Sequence, residues 1–292
     1  MFVDDLAGIL ISTLVSGSIY TLMVIGLTMI FETIQYFNFA HGTYFTFGAY
    51  FIWYLINISK LDYFVAILLL IPASFIFGFI MQRAIVQNLV EREAGHIILI
   101  LATYCISVLI ENTILIFFGG RLKRLPYPFE GYIRFGGATM SYHKLLILII
   151  STLLLVIFTL ILHKTKRGTA MRAVAQDREA SSLVGINVKG IYAITVGLSS
   201  ILACVGGWLM GCLLFITPTF GGGMLSKGFI VCTLGGRQAG MKGSVFTSYL
   251  IAFIETALMR YLPMYNVPPI LFAIVIVSLL IRPEGIFVRS SR

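Results

Sequence analysis

The sequence has 292 residues, of which 59% are hydrophobic and 11% are charged, and its mean hydropathy is +0.97. Soluble domains contain roughly a quarter charged residues, so this composition excludes a soluble protein and indicates an integral membrane protein. We attribute the net charge of +9 to basic loops at one membrane face and to contact with anionic lipid, and we predict no nucleic-acid partner.

Apolar stretches of about 20 residues predict transmembrane helices, because the strands of a membrane β-barrel alternate in hydropathy over about 10 residues. The predicted fold class is all-α, a polytopic transmembrane helical bundle in which residues 1–292 form a single domain. A shorter apolar piece at 224–235 is predicted to be a re-entrant or broken helix. The roughly eight spans are predicted at 6–30, 39–57, 62–82, 96–118, 144–163, 190–215, 243–262 and 267–282.

The segment at 164–189 is the longest polar interruption between two apolar spans, and it is rich in Lys and Arg. Loops with many basic residues are retained in the cytoplasm during insertion. The predicted topology therefore places this loop and the C-terminus in the cytoplasm and the N-terminus outside. The N-terminus lacks the basic region of a signal peptide, so the first apolar span is predicted to be a retained helix.

Within this loop, the residues from Ala170 to Val184 include no Gly or Pro, and apolar residues recur at roughly helical spacing. We predict one short cytoplasmic helix. Gly185 is a natural helix stop, and Asn187 is suited to cap the helix that follows. A short helix held between two membrane spans can transmit force to or from a soluble partner.

The most unusual intramembrane stretch runs from Phe31 to Gly42 and concentrates polar residues between two long apolar runs. One interpretation is a turn between the first two spans, with Asn38 capping the second. The other is a broken helix whose polar groups line a translocation path, since irregular backbone at membrane depth is found where it is buried in protein or lines a cavity. The candidate path residues of this stretch are Glu32, Gln35, Asn38, His41 and Gly42.

Two further carboxylates, Glu111 and Glu255, lie within predicted spans. A charge at the bilayer centre costs about 2.5–3.5 kcal/mol on insertion scales, so each should face the protein interior and find a partner. The two interpretations are interior hydrogen bonding and contact with a transported substrate.

No catalytic, metal or cofactor site is predicted. The cysteines lack C-x-x-C spacing and are predicted to be buried small hydrophobic residues. The segment from Gly235 to Ser244 has Met241 where a phosphate-binding loop requires Lys, so it is not a nucleotide site. Any ATPase must be a separate subunit. The four cysteines are Cys105, Cys204, Cys212 and Cys232.

Gly and Pro residues also mark other features of the chain. The pair Gly207 and Gly211 fits close helix packing, and Gly221–Gly223 is predicted to be a bend. The external loop at about 119–143 is predicted to be irregular. Its role is either that of a connector or that of a docking surface for an extracytoplasmic solute-binding protein.

The cytoplasmic loop resembles the EAA loop of ABC importer permeases, in which Glu-Ala-x-x-x-x-Gly marks a coupling helix that docks on the ATPase. Glu179, Ala180 and Gly185 match this pattern, and Arg178 precedes it, while Ser181 stands where the family has a second Ala. Four blocks in family order are similar to LivH-type permeases of branched-chain amino acid importers. These are Asn38–Gly42 followed by Phe47–Tyr50, the EAA-like residues, Leu234–Gly236 with Gly240 and Gly243, and Arg282–Phe287.

This resemblance implies an ATP-driven importer permease in the cytoplasmic (inner) membrane of a bacterium or archaeon. It implies three kinds of partner: a second, LivM-like permease subunit, two cytoplasmic ATPase subunits and an extracytoplasmic solute-binding protein. The implied substrates are amino acids with apolar side chains. Thr43 and Glu32 depart from the family pattern, which typically has an acid and a small residue at those positions.

Two alternatives stay open at this stage. A permease of the same type could carry urea or short amides, because those branches have nearly the same motifs. A secondary transporter could instead use Glu32, Glu111 and Glu255 as a proton or cation relay, without ATPase partners. The coupling-helix pattern argues against the relay, since a relay does not require such a helix.

Overall fold

The computed structural model describes residues 2–91, 95–127, 129, 131–135, 138–235 and 240–281. A π-helical turn at Gln82–Val86 joins α3 to α4, and a 3₁₀ turn at Met264–Asn266 precedes α12. The helices are α1 (Phe2–Ile34), α2 (His41–Asn57), α3 (Tyr63–Met81), α4 (Gln87–Glu91), α5 (His96–Phe118), α6 (Tyr142–Lys164), α7 (Lys166–Gln176), α8 (Arg178–Leu183), α9 (Val188–Leu213), α10 (Phe220–Gly235), α11 (Gly240–Tyr261) and α12 (Val267–Ile281). The strands are β1 (Tyr132–Phe135) and β2 (Ala138–Ser141).

Each predicted span overlaps one of these helices, which confirms an all-α membrane bundle. The helices at three predicted spans, α2, α11 and α12, are shorter or less apolar than a typical spanning helix, so the number of eight spans stays a prediction, as does the orientation of the termini. Within the described residues, five helical segments are long and apolar enough to cross a membrane: Leu6–Ile34, Tyr63–Val90, His96–Phe118, Tyr142–Lys164 and Val188–Leu213.

Two of these segments form the centre of the bundle. In α1 and α9, 83% of the most apolar window is buried, against 22% in α3 and α6 and 33% in α5. Helix α1 packs on α6, α9, α10 and α11, while α2 and α3 pack on α9. The outer helices therefore present apolar side chains outward, as expected where lipid is the solvent.

Glycines let α2 and α9 approach until their backbones touch. A Cβ added to Gly48 would overlap the Cys204 carbonyl, and one added to Gly207 would overlap the Phe45 carbonyl. A Cβ on Gly211 would lie 3.3 Å from the Ala49 Cβ of α2. The prediction of close packing at Gly207 and Gly211 is confirmed.

The prediction of a bend at Gly221–Gly223 is wrong, because these residues form the first turn of α10. A Cβ on Gly221 would overlap the Gly42 carbonyl, and the Gly221 amide donates to Thr46 Oγ1 at 2.8 Å. The glycine therefore serves helix packing against α2. The apolar piece at 224–235 belongs to this 16-residue helix, which at 1.5 Å per residue is about 24 Å long, less than the roughly 30 Å of a bilayer core.

Helices α1 and α2 are separated by the non-helical residues 35–40, which lie within the polar stretch from Phe31 to Gly42. Gln35 has a φ of 63°, which is uncommon for a residue with a side chain. Asn38 closes the turn, since its Oδ1 accepts from the Ala40 amide at 3.0 Å and its carbonyl accepts from the His41 amide at 3.2 Å. Asn38 thus stabilises the turn before α2, although the residue at the N-cap itself is Ala40.

The segment at 164–189 contains two helices, and the prediction of one continuous helix from Ala170 is wrong. Asp177 has an extended backbone and ends α7, and its Oδ1 accepts from the Ala180 amide at 2.9 Å to begin α8. Asp is among the strongest N-cap residues, which explains the break. Gly185, at φ 85°, follows the end of α8, and Asn187 Oδ1 caps α9 through the Gly190 amide at 2.9 Å. Both of these predictions are confirmed.

The loop at about 119–143 is more regular than predicted, since β1 and β2 pair as an antiparallel hairpin with Tyr132 opposite Ser141. Three parts of the chain named in the sequence analysis lie outside the described residues: 136–137 between the strands, Gly236, and the Arg282–Phe287 block. Ser141 Oγ accepts from the Lys144 amide at 3.3 Å and so begins α6. The hairpin and α7 consequently lie at opposite ends of α6.

Candidate functional site

The exposed helix α8 and its last turn, residues Arg178–Gly185, form a surface that we call the coupling surface. Leu183 and Val184 are 88% and 78% exposed. Ser181 is buried, and the Arg178 guanidinium lies 5.9 Å from the Tyr192 ring centroid of α9. One side of α8 thus packs on the protein while the other presents aliphatic side chains at the end of the bundle, which is typical of an interaction surface.

The residues of the EAA-like pattern have distinct positions on this surface. Glu179 lies exposed in the first turn of α8, where a negative charge is favourable near the helix N-terminus. Ala180 is also exposed, and its amide is capped by Asp177. Gly185 adopts a left-handed conformation that an added side chain would strain. Gly185 therefore fixes the direction in which the chain leaves α8 for α9.

The polar residues of the α1–α2 turn are mostly interior. Asn38 is 1% exposed and His41 is fully buried, with its Nε2 3.1 Å from the Met23 carbonyl. Gly42 is buried against α10, while Gln35 is exposed. Asn38, His41 and Gly42 thus lie close together, with His41 contacting α1 and Gly42 contacting α10.

Glu255 belongs to a buried cluster that connects three helices, and we call it the charge cluster (Tyr20, Lys227 and Glu255). Lys227 Nζ lies 2.5 Å from Glu255 Oε1 and donates to Tyr20 Oη at 2.8 Å, and Tyr20 Oη donates to Glu255 Oε2 at 2.7 Å. The side chains of Lys227 and Glu255 are 17% and 5% exposed. Each charge at depth thus has an opposite charge and a hydroxyl beside it.

Sequence reasoning missed Lys227. It lies inside the apolar piece at 224–235, which was predicted only as a re-entrant or broken helix, and a cation there is as informative as the carboxylates. A charged residue within a membrane helix requires a partner. Glu255 was the nearest intramembrane acid along the chain, so the pairing could have been suggested from the sequence.

The other two intramembrane carboxylates lie apart from this cluster. Glu111 is half-buried on α5 and accepts a hydrogen bond from Ser107 at 3.5 Å. Glu32, near the end of α1, lines a cleft shared with α6, α7 and α11. Tyr20 and Glu32 are twelve residues apart on α1, so about 18 Å of helix separates the charge cluster from Glu32.

Cysteine chemistry and metal binding find little support in the part of the chain that the structure describes. No group of three or more His, Cys, Asp or Glu side chains there could hold a metal ion. Cys204 and Cys212 are buried as predicted and Cys232 is partly buried, but Cys105 is exposed on α5 and its predicted burial is wrong. The side of α5 that carries Cys105 faces away from the protein interior.

The helical bundle, with its outward-facing hydrophobic helices and its paired buried charges, defines an integral membrane protein of the all-α class. The chain belongs to the family described as branched-chain amino acid transport system / permease component, whose family model matches residues 9–282. This confirms the resemblance to LivH-type permeases. The protein is a transport component, in agreement with the prediction that it is not an enzyme.

Curated relatives are similar over nearly the full length of the chain. The high-affinity branched-chain amino acid transport system permease protein BraD of Pseudomonas aeruginosa is 28% identical, covering 96% of this chain and 95% of the relative. LivH of Escherichia coli is 27% identical over 94% and 92%. A probable branched-chain amino acid transport permease LivH of Methanocaldococcus jannaschii is 26% identical over 95% and 91%. No solved structure matches the chain.

Proposed function

We propose that the chain is the transmembrane permease subunit of an ATP-driven importer of branched-chain amino acids. Its curated relatives are named as permeases for such amino acids, and the similarity spans almost the whole chain. The observation that supports ATP coupling is the coupling surface, a capped helix that presents Leu183 and Val184 in the polar segment between the apolar helices α6 and α9.

In this proposal, two cytoplasmic ATPase subunits bind the coupling surfaces of two permease subunits, and their closure on ATP moves α8. The chain passes from α8 into α9 through Gly185 and Asn187, and α9 packs on α1, α2 and α3. A displacement of α8 therefore reaches the core of the bundle. Coupling requires that ATP-bound ATPases bind one permease conformation more tightly than the other.

The remaining partners follow from the same proposal. A second, LivM-like permease subunit would complete the translocation path, and an extracytoplasmic solute-binding protein would deliver the substrate near the hairpin of β1 and β2. The coupling surface then faces the cytoplasm of a bacterium or archaeon, and the hairpin lies outside, consistent with their positions at opposite ends of α6.

We place the translocation path along the half-buried face of α10. A Cβ added at Gly222 or Gly223 would meet nothing within 4 Å, so this face leaves space beside the helix. Lys227 lies near it and holds Glu255 from α11. An apolar amino acid needs an apolar pocket with a few polar groups, and the partly exposed Lys227 side chain is a polar group that this face offers.

The geometry disfavours a proton relay through the three carboxylates. Glu255 is paired with Lys227, Glu111 bonds within its own helix, and Glu32 lies about 18 Å along α1 from the charge cluster. Proton transfer requires groups within hydrogen-bond reach or one intervening water. These three side chains therefore form no continuous chain of proton carriers in this conformation.

The test is ATP hydrolysis and uptake by the complex copurified with its ATPases, reconstituted in proteoliposomes with its binding protein. Leucine, isoleucine and valine should stimulate hydrolysis, and urea and short amides should not. Leu183→Asp should abolish binding of the ATPase subunits, because it places a charge in the apolar contact. Glu179→Lys and Gly185→Pro should uncouple hydrolysis from uptake.

Leu122→Asp provides the matched control, since Leu122 is 65% exposed in the loop at the opposite end of α6. This variant should retain the ATPase subunits. Uptake that follows a proton gradient and is indifferent to Leu183→Asp would overturn the proposal in favour of a secondary transporter. Stimulation by urea alone would retain the ATP coupling and change the substrate class.

A further inference from the structure

A cleft of about 450 Å³ opens between the ends of α1 and α6, helix α7 and the start of α11. This volume falls within the range of small-molecule sites, about 300–1,000 Å³. Most of its wall is apolar, with Met29, Leu155, Met171 and Val245 among the lining residues. The cleft lies at the same end of the bundle as the coupling surface, so it is separate from the charge cluster.

The polar groups of this cleft carry both signs of charge. Glu32 comes from α1, Arg172 from α7 and Lys242 from α11. Within the described part of the chain, Glu32 makes no ion pair or hydrogen bond, in contrast to Glu255. Arg172 and Lys242 are exposed. The carboxylate and the two cations thus line one cavity without pairing with each other.

We propose that this cleft binds an α-amino acid with an apolar side chain from the cytoplasmic side. The carboxylate of the ligand would contact Arg172 and Lys242, its ammonium group would contact Glu32, and its side chain would pack on Met29, Leu155 and Val245. Charge-assisted contacts to both ends of a zwitterion favour it over simple acids, simple amines and uncharged amides. The identification of the ligand as the imported product rests on the proposed function.

Such binding would regulate transport because α7 leads directly into α8. Asp177 alone separates the two helices, and α7 also contacts α1 and α9. A ligand that joins Arg172 of α7 to Glu32 of α1 would favour one position of α7 and hence of the coupling surface. Accumulated product would therefore inhibit further import by stabilising one conformation.

Direct binding is the first test, with L-leucine as the probe and the complex purified with its partner permease and ATPases, without binding protein. Glu32→Gln and Arg172→Gln should each weaken leucine binding by about tenfold, as expected for the loss of a charge-assisted contact. The control is Arg167→Gln on the same helix, outside the cleft lining, which should bind like the native chain.

Two leucine analogues examine each end of the zwitterion. 4-Methylpentanoate lacks the ammonium group and isoamylamine lacks the carboxylate, and each should bind at least tenfold more weakly than leucine. Equal binding of leucine to all variants would overturn the proposal. A phospholipid that copurifies in the cleft and is not displaced by leucine would overturn it as well, since the cleft would then be a lipid site.

The regulatory part is tested by uptake into proteoliposomes with the ATPases inside and the binding protein outside. Preloading with leucine should slow initial uptake several-fold in the native and Arg167→Gln complexes and much less in Glu32→Gln and Arg172→Gln. Import that is unaffected by preloading, or equally affected in every variant, would refute the feedback site and leave the proposed function intact. Leucine binding without any ATP-driven import would refute the proposed function instead.

Discussion

Glu255 and Glu32 are both carboxylates within apolar helices, yet their surroundings differ completely. Glu255 is 3% exposed and contacts both the Lys227 ammonium group and the Tyr20 hydroxyl within 2.7 Å. Glu32 is half-buried at the wall of an open cleft and has no ion-pair partner among the described residues. One acid is neutralised by the fold, and the other is left available to a ligand.

This difference shows how depth determines the use of a charge in a membrane protein. A deeply buried carboxylate requires an internal partner, because no water is present to solvate it. A carboxylate near the end of a helix can rely on water within a cleft until a ligand displaces it. We therefore expect Glu255 to contribute to the stability of the bundle and Glu32 to contribute to the ligand binding proposed above.

The largest effect should come from Lys227→Met, which leaves Glu255 buried without its cation. Removing one partner of a buried ion pair typically destabilises a protein by about 3–5 kcal/mol. The midpoint of thermal unfolding in detergent should therefore fall sharply, and the yield of monodisperse protein should fall with it.

The double variant Lys227→Met with Glu255→Gln is the control that separates lost charge balance from lost packing. Because it removes both charges, it should recover most of the stability lost in the single variant. Equal destabilisation of the single and double variants would show that the ion pair is not what the lysine contributes.

A smaller loss is expected for Tyr20→Phe, which keeps the ring and removes the hydroxyl that bonds to both charges. The loss should be about 1.5–3 kcal/mol, the range for hydrogen bonds to charged groups. Unfolding in detergent would measure it. Tyr249→Phe on α11 is a matched control, since its ring packs beside Gly17, and this change should alter stability little. Similar losses in both variants would argue against the charge cluster.

Hydropathy was sufficient to locate the long apolar helices, because apolar length determines where a chain can cross lipid. The helix ends around Gly185 and Asn187 were also predictable, since left-handed glycines and Asn caps act locally. The break at Asp177 was missed although Asp is a strong cap, because the apolar spacing around it continued without interruption. At this point the apolar spacing favours one continuous helix and the Asp177 cap favours a break, and the structure contains the break.

The contacts of the candidate sites depended on tertiary packing and were less predictable. Lys227 and Glu255 are on different helices, and their pairing follows from the packing of α10 on α11. The position of Gly221 against Gly42 likewise depends on how α2 meets α10. The sequence identified Glu32 and Glu255 as candidates, but no local pattern distinguished the paired acid from the unpaired one.

The smallest effect on stability should be that of Glu32→Gln, although the same substitution at Glu255 would be severe. Glu32 has no described ion pair to lose, so the free energy of unfolding should change by no more than about 0.5 kcal/mol. Glu111→Gln, at a half-buried acid outside the cleft, is the control and should behave similarly in unfolding experiments. Of these two variants, only Glu32→Gln should alter the response to internal leucine, because Glu32 lines the cleft and Glu111 does not. A large loss of stability in Glu32→Gln would mean that this carboxylate, like Glu255, is needed by the fold, and the contrast between the two acids would fail.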